Sequence, residues 1–284
     1  MNLKKKIICI VGILFVLTAI IVVGKKFVEH EKWQTGQISI LLDENALRRE
    51  EIVALNAEIA DLEDKVLAIE AELNSVIEYD PEGFNYLAIG NSITKHPKCD
   101  YWWNEIGMAA TSEEKDFVHI VSSFLEEEYE NSVTYAVCYA IWEMQSNDRA
   151  ETYDVIDPYL SPYLDLVTIQ LGENVSDVTT FERDFEELIK YVASKCPETE
   201  IIIVDDFWSH SERRAIKVGV VEEFGLPFAD LTEIRDNPEY RSELGAVVYG
   251  DDGDAHVVEH EGVAIHPGDA GMQYIADTII ELLQ

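Results

Sequence analysis

The sequence predicts an α/β fold in which a parallel sheet is covered by helices on both faces. From residue 80 onwards, short apolar runs alternate with amphipathic stretches, which is the rhythm of repeated β-α-β units. The predicted strands cover residues 86–89, 132–137, 164–170 and 201–204, and the predicted helices cover residues 113–129, 180–194, 211–223 and 269–283. Strands connected by helices in this way run parallel, so we expect ligands at their shared carboxyl edge.

The composition excludes several classes of partner. Among 284 residues, 56 are acidic and 21 are basic, which corresponds to a formal net charge of −35. Such a surface repels nucleic acid and anionic lipid headgroups, although solubility alone also accounts for the acidity. Apart from Cys9 in the apolar N-terminal run, Cys99, Cys138 and Cys196 are too widely spaced for a disulfide framework. No ligand motif predicts a metal or a cofactor, so we expect neither.

The N-terminal region has the features of a membrane anchor. Residues 7–24 form an unbroken apolar stretch with lysines on both sides. At ~1.5 Å per residue this stretch would span about 27 Å as a helix, close to the ~30 Å hydrocarbon core. A cleaved signal peptide is the alternative, but no small-residue cleavage site ends the run. We expect residues 1–6 in the cytoplasm, residues 7–24 as a signal anchor in the cell membrane, and the remaining chain outside.

A heptad repeat follows the predicted anchor. Apolar residues occupy its first core position at 52, 59, 66 and 73 and its second at 55, 62, 69 and 76. Uninterrupted heptads without Gly or Pro predict a coiled coil, and the residue types favour a parallel homodimer through residues 52–76. A single amphipathic helix packed on the body is the alternative. The predicted stalk spans residues 38–77, and a turn at residues 80–83 separates it from a globular domain over residues 80–284.

Two polar segments lie where the fold predicts chemistry. Ser92 follows the first predicted strand, and His266 precedes the last predicted helix. A serine hydroxyl is a weak nucleophile until a neighbouring base removes its proton, and a histidine with a pKa near about 6.5 suits that task. We therefore predict that the fold brings Ser92 and His266 together as nucleophile and base. His96, four residues after Ser92, is an alternative base, although lining the pocket or simple solvation fits it better.

Three segments resemble the sequence blocks of the SGNH (GDSL-like) hydrolase family. Gly90-Asn91-Ser92-Ile93-Thr94 is similar to its first block, Gly172-Glu173-Asn174 to its third, and the segment that begins at His266-Pro267 to its fifth. This resemblance covers residues 84–284 and implies a three-layer α/β/α fold with a flavodoxin-like parallel sheet. It also implies catalysis by Ser92 and His266, with an oxyanion hole formed by the Ser92 backbone N–H, the Asn174 amide and a backbone N–H of the second block.

The sequence departs from the family pattern at three positions. Asn91 replaces an Asp of the first block, and the segment over residues 136–143 contains no glycine with which to place the second-block donor. Val263 occupies the position where the family carries an Asp that orients the histidine. Either a backbone carbonyl holds His266, which leaves a Ser–His dyad, or another carboxylate substitutes. The nearest candidates in the sequence are Glu259, Glu261 and Asp254.

Four residues are candidates for binding substrate. Trp102 and Trp103 follow the nucleophile closely and could stack on sugar rings, with packing in the core as the alternative. Asp206 ends another predicted strand on the active-site side, where it could bind sugar hydroxyls or cap the next helix. Asn91 adjoins the nucleophile and completes this set.

These features predict a serine esterase of the SGNH type, anchored in the membrane and facing outward. The resemblance implies an acylated carbohydrate or another ester as substrate, with removal of acetyl or similar groups through a Ser–His acyl-enzyme mechanism. An acyltransferase using the same intermediate is a close variant. The alternative from a different class is a catalytically degenerate domain that binds glycans or acts as a scaffold, since the orienting Asp is missing.

Overall fold

The computed structural model describes residues 22–37, 48–49, 52–56, 59, 62, 77–145 and 148–284. The chain divides into two compact units, Met1–Glu72 and Leu73–Gln284. In the first unit, the described residues are helical, and the apolar heptad positions Ile52, Leu55, Ile59 and Leu62 are exposed. Most of the predicted anchor and stalk lies outside the described residues, so both stay predictions. Among the described residues, no helix is long and apolar enough to cross a membrane.

The second unit contains seven strands and six α-helices within its described residues. The strands are β1 (Phe84–Gly90), β2 (Ser132–Cys138), β3 (Leu166–Gln170), β4 (Glu200–Val204), β5 (Phe228–Ala229), β6 (Val247–Tyr249) and β7 (Ala255–Val257). The α-helices are α1 (Phe117–Glu128), α2 (Ala140–Met144), α3 (Phe181–Lys195), α4 (Ser211–Phe224), α5 (Glu261–Ala264) and α6 (Asp269–Leu283). Four 3₁₀ helices cover Glu113–Lys115, Arg149–Val155, Asp157–Tyr159 and Pro238–Tyr240.

Strands β1 to β5 form one parallel sheet in the order β2-β1-β3-β4-β5. β1 lies between β2 and β3, with Gly90 opposite both Cys138 and Gln170. The carboxyl ends of these three neighbouring strands therefore lie side by side, and the segments that follow them are close in space. This arrangement confirms the predicted parallel sheet.

Helices cover both faces of the sheet. Alternate residues of β1 enter different cores: Tyr86 and Ala88 pack with residues of α1 and α6, whereas Leu87 and Ile89 pack with residues of α3 and α4. Because successive side chains of a strand point to opposite faces, an apolar run fills both cores. The predicted three-layer α/β/α arrangement is confirmed.

The element boundaries differ from the prediction in a few places. The helix predicted from residue 113 begins at Phe117, because Asp116 has an extended backbone and its carboxylate accepts a hydrogen bond from the His119 N–H as an N-cap. The sequence did not predict β5 or the antiparallel pair β6-β7. Residues 250–254 connect β6 to β7.

Candidate active site

A tight turn presents Ser92 at the carboxyl end of β1. The Asn91 side-chain Oδ1 accepts a hydrogen bond from the Ile93 N–H at 3.0 Å, and the Asn91 carbonyl accepts one from the Thr94 N–H at 3.1 Å. These bonds turn the chain immediately after the strand. A Cβ on Gly90 would lie 1.9 Å from Thr94 Oγ1, so the turn requires a glycine there. Ser92 itself is half-buried.

His266 lies between the single turn of α5 and the long helix α6. Its backbone N–H bonds to the Val263 carbonyl at 3.0 Å, three residues earlier. In a continuing α-helix that N–H would bond to the Gly262 carbonyl instead, and Pro267 prevents such a continuation. The Gly262 carbonyl is therefore left for the imidazole ring of His266.

The structure brings Ser92 and His266 together as a hydrogen-bonded pair. Ser92 Oγ lies 2.8 Å from His266 Nε2, and His266 Nδ1 lies 2.6 Å from the Gly262 carbonyl oxygen. A carbonyl oxygen only accepts, so Nδ1 carries the proton of the neutral ring and Nε2 accepts from the serine hydroxyl. Of the two alternatives for orienting His266, the structure has the backbone carbonyl.

The carboxylates nearest in sequence do not take this role. Glu259, Glu261 and Asp254 are exposed, and none of them hydrogen-bonds to the His266 ring. Val263, at the position of the family's Asp, is fully buried in the core. The pair is therefore a Ser–His dyad without an acid.

Burial dominates the electrostatics of the base. His266 is 9% exposed, and the Trp208 ring lies perpendicular to it at 5.0 Å between ring centroids. Desolvation of the imidazolium form lowers the pKa of His266 to about 4, although the Gly262 carbonyl opposes the shift. No carboxylate partner raises it again. The neutral base form therefore persists far into the acidic range.

This pKa gives a prediction that can be measured directly. The imidazole signals of His266 in an NMR titration should change with a midpoint near pH 4, well below the ordinary value of about 6.5. A His266→Asn variant, which lacks those signals, identifies them in the spectrum. A His266 midpoint at or above 6 would contradict the dominant role of burial.

Asn174 lies in the loop that follows β3, next to the strand that carries Ser92. Its amide Nδ2 donates to Glu143 Oε2 at 2.5 Å, and the same carboxylate accepts from Asn91 Nδ2 at 3.1 Å. Glu143 thus connects Asn174 to the residue adjacent to Ser92. Burial raises the pKa of Glu143, while the hydrogen bonds from Asn174, Gly172 and Asn91 oppose that rise.

A buried ionic cluster is hydrogen-bonded to the loop that contains Asn174. Asp206 is fully buried, with Oδ1 2.9 Å from Lys217 Nζ and Oδ2 3.0 Å from Arg213 Nε. Arg213 Nη1 also donates to the carbonyls of Glu173 and Val175 at 3.0 and 3.3 Å, which braces the loop on both sides of Asn174. Burial raises the pKa of Asp206, but the Lys217 ammonium outweighs it and the net pKa is lowered. Asp206 is therefore placed in this cluster and away from solvent.

Two backbone N–H groups of the segment after β2 are engaged within the protein. In the segment after β2, the Tyr139 N–H donates to the Gly90 carbonyl at 2.5 Å, and the Trp142 N–H donates to the Tyr139 carbonyl at 3.0 Å. Neither group is available to a substrate. The Ser92 N–H, by contrast, donates to no protein acceptor among the described residues.

A cavity of about 150 Å³ opens beside the dyad. It is lined by Ser92, His96, Tyr101, Met108, His260, Gly262 and His266. Tyr101 stacks on His260 at a ring-centroid distance of 4.2 Å, so the two rings form one part of the lining. His96 lies in the wall with its Nδ1 2.7 Å from the Pro97 carbonyl, and its ring has no hydrogen bond to Ser92.

The residues predicted to bind substrate do not line this cavity. Trp102 is 1% exposed and packs in the core, so its faces are not free to stack on a ligand. Trp103 is half-buried and stacks on His256 at 4.3 Å between centroids. Asn91 is fully buried and takes part in the turn, and Asp206 lies in the ionic cluster.

Two features of the site were missed in the sequence. Glu143 was visible only as the last residue of the glycine-free segment, where a single acidic residue follows an apolar run. The Gly262 carbonyl has no side-chain signal at all. Among the described residues, no group of three or more His, Cys, Asp or Glu side chains is arranged to hold a metal ion.

Comparisons with known proteins find only solved structures of low sequence identity. No family profile and no curated protein matches the sequence. Among solved structures, a two-domain esterase active on acetylated mannans is 12% identical, with a TM-score of 0.46 over 77% of this chain and 52% of the esterase. The chain therefore spans about half the length of that enzyme. An extracellular lipase from Streptomyces rimosus is 10% identical, with a TM-score of 0.47 over 70% of this chain and 99% of the lipase.

A family two carbohydrate esterase from Clostridium thermocellum is 18% identical, with a TM-score of 0.42 over 72% of this chain and 65% of the esterase. Similarity at this level transfers neither activity nor substrate. The sheet order, the serine turn after β1 and the histidine before the last helix are features of this chain's own structure. They agree with the fold that the sequence resemblance to the SGNH (GDSL-like) hydrolases implies.

Proposed function

We propose that this chain is a serine ester hydrolase that removes acetyl or similarly short acyl groups from a carbohydrate. The observation that carries the proposal is the Ser92–His266 pair, with 2.8 Å between Oγ and Nε2 and a tautomer fixed by the Gly262 carbonyl. A hydroxyl that donates to a neutral, oriented imidazole is the arrangement required for nucleophilic catalysis.

The dyad supports acyl transfer in two half-reactions. Ser92 Oγ attacks the carbonyl carbon of the ester while its proton passes to His266 Nε2. The tetrahedral intermediate collapses when the bond to the alcohol oxygen breaks, and the imidazolium returns the proton to that oxygen. Water then attacks the acyl-enzyme with His266 as base, which releases the carboxylic acid and restores Ser92. The Ser92 N–H and the Asn174 amide are the groups that would stabilise the oxyanion.

His266 can act as the base although no carboxylate is hydrogen-bonded to its ring. In this mechanism the carboxylate of a triad holds the ring orientation and stabilises the imidazolium. Here the Gly262 carbonyl supplies the orientation, and the buried ring stays in the neutral form that a base requires. Nothing in this geometry favours the non-catalytic glycan-binding alternative.

The size of the cavity supports a short acyl group. At about 150 Å³ it is well below the roughly 300–1,000 Å³ of sites for drug-sized ligands, and Met108 closes part of its wall. We expect kcat/KM to fall by at least about tenfold from 4-nitrophenyl acetate to the octanoate ester, because a cavity of this size has no room for the longer acyl chain. Initial rates over an acetate, butyrate and octanoate series measure this.

Met108→Ala provides a matched variant for the same series. It enlarges the cavity without touching the dyad, so the butyrate-to-acetate ratio of kcat/KM should rise relative to the wild type. The wild type preferring octanoate would argue for a lipase. Equal rates for all three esters would show that the cavity does not select the acyl group.

Two observations support a carbohydrate as the substrate: the family resemblance and the Tyr101–His260 pair at the cavity. Tyr101 is 39% exposed, and aromatic rings present apolar faces to sugars. Release of acetate from an acetylated oligosaccharide tests it. Turnover of the aryl ester without any release from the oligosaccharide would remove the carbohydrate from the proposal and leave the esterase.

The proposed location is the outer face of a membrane, with residues 7–24 as the anchor and a parallel homodimer through residues 52–76. The apolar stretch with flanking lysines and the heptad pattern support this arrangement. Protease digestion of intact spheroplasts tests the orientation, since an outward domain is removed and a cytoplasmic one is protected.

A further inference from the structure

Glu143 is a buried carboxylate for which the mechanism above has no role. It lies on α2 and is 2% exposed. Among the described residues, no lysine or arginine forms an ion pair with it, whereas Asp205 and Asp206, which are also buried, each have two cationic partners. An unpaired buried charge is costly unless hydrogen bonds satisfy it. The hydrogen-bond donors to Glu143 therefore indicate its role.

Among the residues that the structure describes, every hydrogen bond to the Glu143 carboxylate comes from a residue of the site. Oε1 accepts from Asn91 Nδ2 at 3.1 Å and from the Gly172 N–H at 2.5 Å, and Oε2 accepts from Asn174 Nδ2 at 2.5 Å. A further, longer contact joins the Asn174 N–H to Oε1 at 3.5 Å. One carboxylate thus connects the segments that follow β1, β2 and β3.

The residue at position 91 fits this arrangement. Asn91 uses Oδ1 to close the nucleophile turn and Nδ2 to donate to Glu143. An aspartate at this position could close the turn, but it would place a second carboxylate against Glu143 and offer it no donor. The presence of Glu143 therefore accounts physically for the asparagine that departs from the family pattern.

A carboxylate only accepts, so it determines which way a neighbouring amide faces. With Oε2 at 2.5 Å, Asn174 must present its NH₂ group to Glu143, since the flipped amide would set Oδ1 against a carboxylate oxygen. One N–H then bonds to Glu143. The other donates to no protein atom among the described residues.

We propose that Glu143 is a positioning residue that holds the Asn174 amide with its second N–H available to the oxyanion. The inference rests on the proposed ester hydrolysis and adds to it the group that orients the oxyanion hole. Glu143 acts through Asn174 and does not touch the reacting atoms.

The nearly isosteric variant Glu143→Gln tests the role. A glutamine has one acceptor oxygen for the same donors, and its own NH₂ group opposes either Gly172 or Asn174. The Asn174 amide then gains a flipped state in which Oδ1 faces the substrate. We expect kcat for 4-nitrophenyl acetate to fall by about 10- to 100-fold with KM changed less than about threefold, because the oxyanion forms only after binding.

A double-mutant cycle separates positioning from general structural support. If Glu143 acts through Asn174, then Glu143→Gln in an Asn174→Ala background should lower kcat by less than about threefold. Full multiplication of the two single effects would overturn the proposal, and so would a Glu143→Gln enzyme with the kcat of the wild type.

Two further variants keep the test decisive. Glu143→Asp retains the charge on a shorter side chain, so its kcat should lie above that of Glu143→Gln. If Glu143→Gln does not fold, Glu143→Asp takes its place in the double-mutant cycle. Asp205→Asn removes another fully buried carboxylate, whose partners are Arg214 and Arg235, and should leave kcat within about threefold of the wild type.

If the wild type has no Ser92-dependent turnover, the proposed function fails. If turnover is present and the cycle is multiplicative, only the role of Glu143 fails.

Discussion

Replacing Ser92 by alanine is expected to lower kcat for ester hydrolysis by about 10⁴-fold or more. The hydroxyl is the group that forms the acyl-enzyme, and it is the hydrogen-bond partner of His266 Nε2. Without it, the base has only water to activate. Hydrolysis of 4-nitrophenyl acetate by the purified variant measures the loss, with circular dichroism to show that the fold is intact.

The control for this variant is another serine of the same unit. Ser194 lies on α3, where its Oγ donates to the Tyr191 carbonyl at 2.7 Å, so Ser194→Ala should hydrolyse the ester at the wild-type rate. Ser92 should also be the residue that an alkyl fluorophosphonate labels, as mass spectrometry of the intact protein and its peptides would show. Full activity of Ser92→Ala, or labelling elsewhere, would rule out the dyad.

His266→Ala should be as damaging as Ser92→Ala, and the double variant should be no slower than either. Residues that act as one unit show such non-additivity, since the loss of one removes the contribution of the other. Independent, multiplying effects would mean that His266 supports the structure and is not the base. His96 would then be the next base to examine, because it lines the same cavity.

The features that could be predicted from the sequence are those with a local signal. β1, β2 and β4 are apolar runs between turns, and their predicted spans agree with the structure within two residues at each end. Helices α3 and α6 carry an amphipathic period that identifies them. Ser92 and His266 were found because a short sequence motif marks each of them.

The features that were missed depend on contacts distant in sequence. The two residues of β5 form a strand only because β4 lies beside them, so no periodicity marks them. Trp102 and Trp103 are neighbours with the same local signal, yet one is enclosed in the core and the other stacks on His256. The role of Glu143 follows only from its hydrogen bonds to Asn91 and Asn174, which lie far from it in the sequence.

Replacing Asn174 by alanine is expected to lower kcat by about 10²- to 10³-fold, or roughly 3–4 kcal/mol, while KM changes little. The amide would donate to an oxygen that carries charge only in the transition state, so its loss spares the binding of the ground-state ester. Asn174→Asp is a poorer variant, because it would set a second carboxylate against Glu143. Steady-state kinetics with 4-nitrophenyl acetate gives both constants.

The matched control for Asn174 is a buried asparagine at the opposite end of the sheet. Asn85 is 1% exposed, and its Nδ2 donates to the carbonyls of Asp80 and Tyr163 at 2.8 Å each. Asn85→Ala should lower the free energy of unfolding by about 1–3 kcal/mol, because those carbonyls lose their partner, and should leave kcat unchanged. Asn174→Ala should show the reverse pattern, with a large loss of kcat and a small loss of stability. If Asn174→Ala instead raised KM at constant kcat, the amide would bind the ground state, and the oxyanion would depend on the Ser92 N–H and other donors.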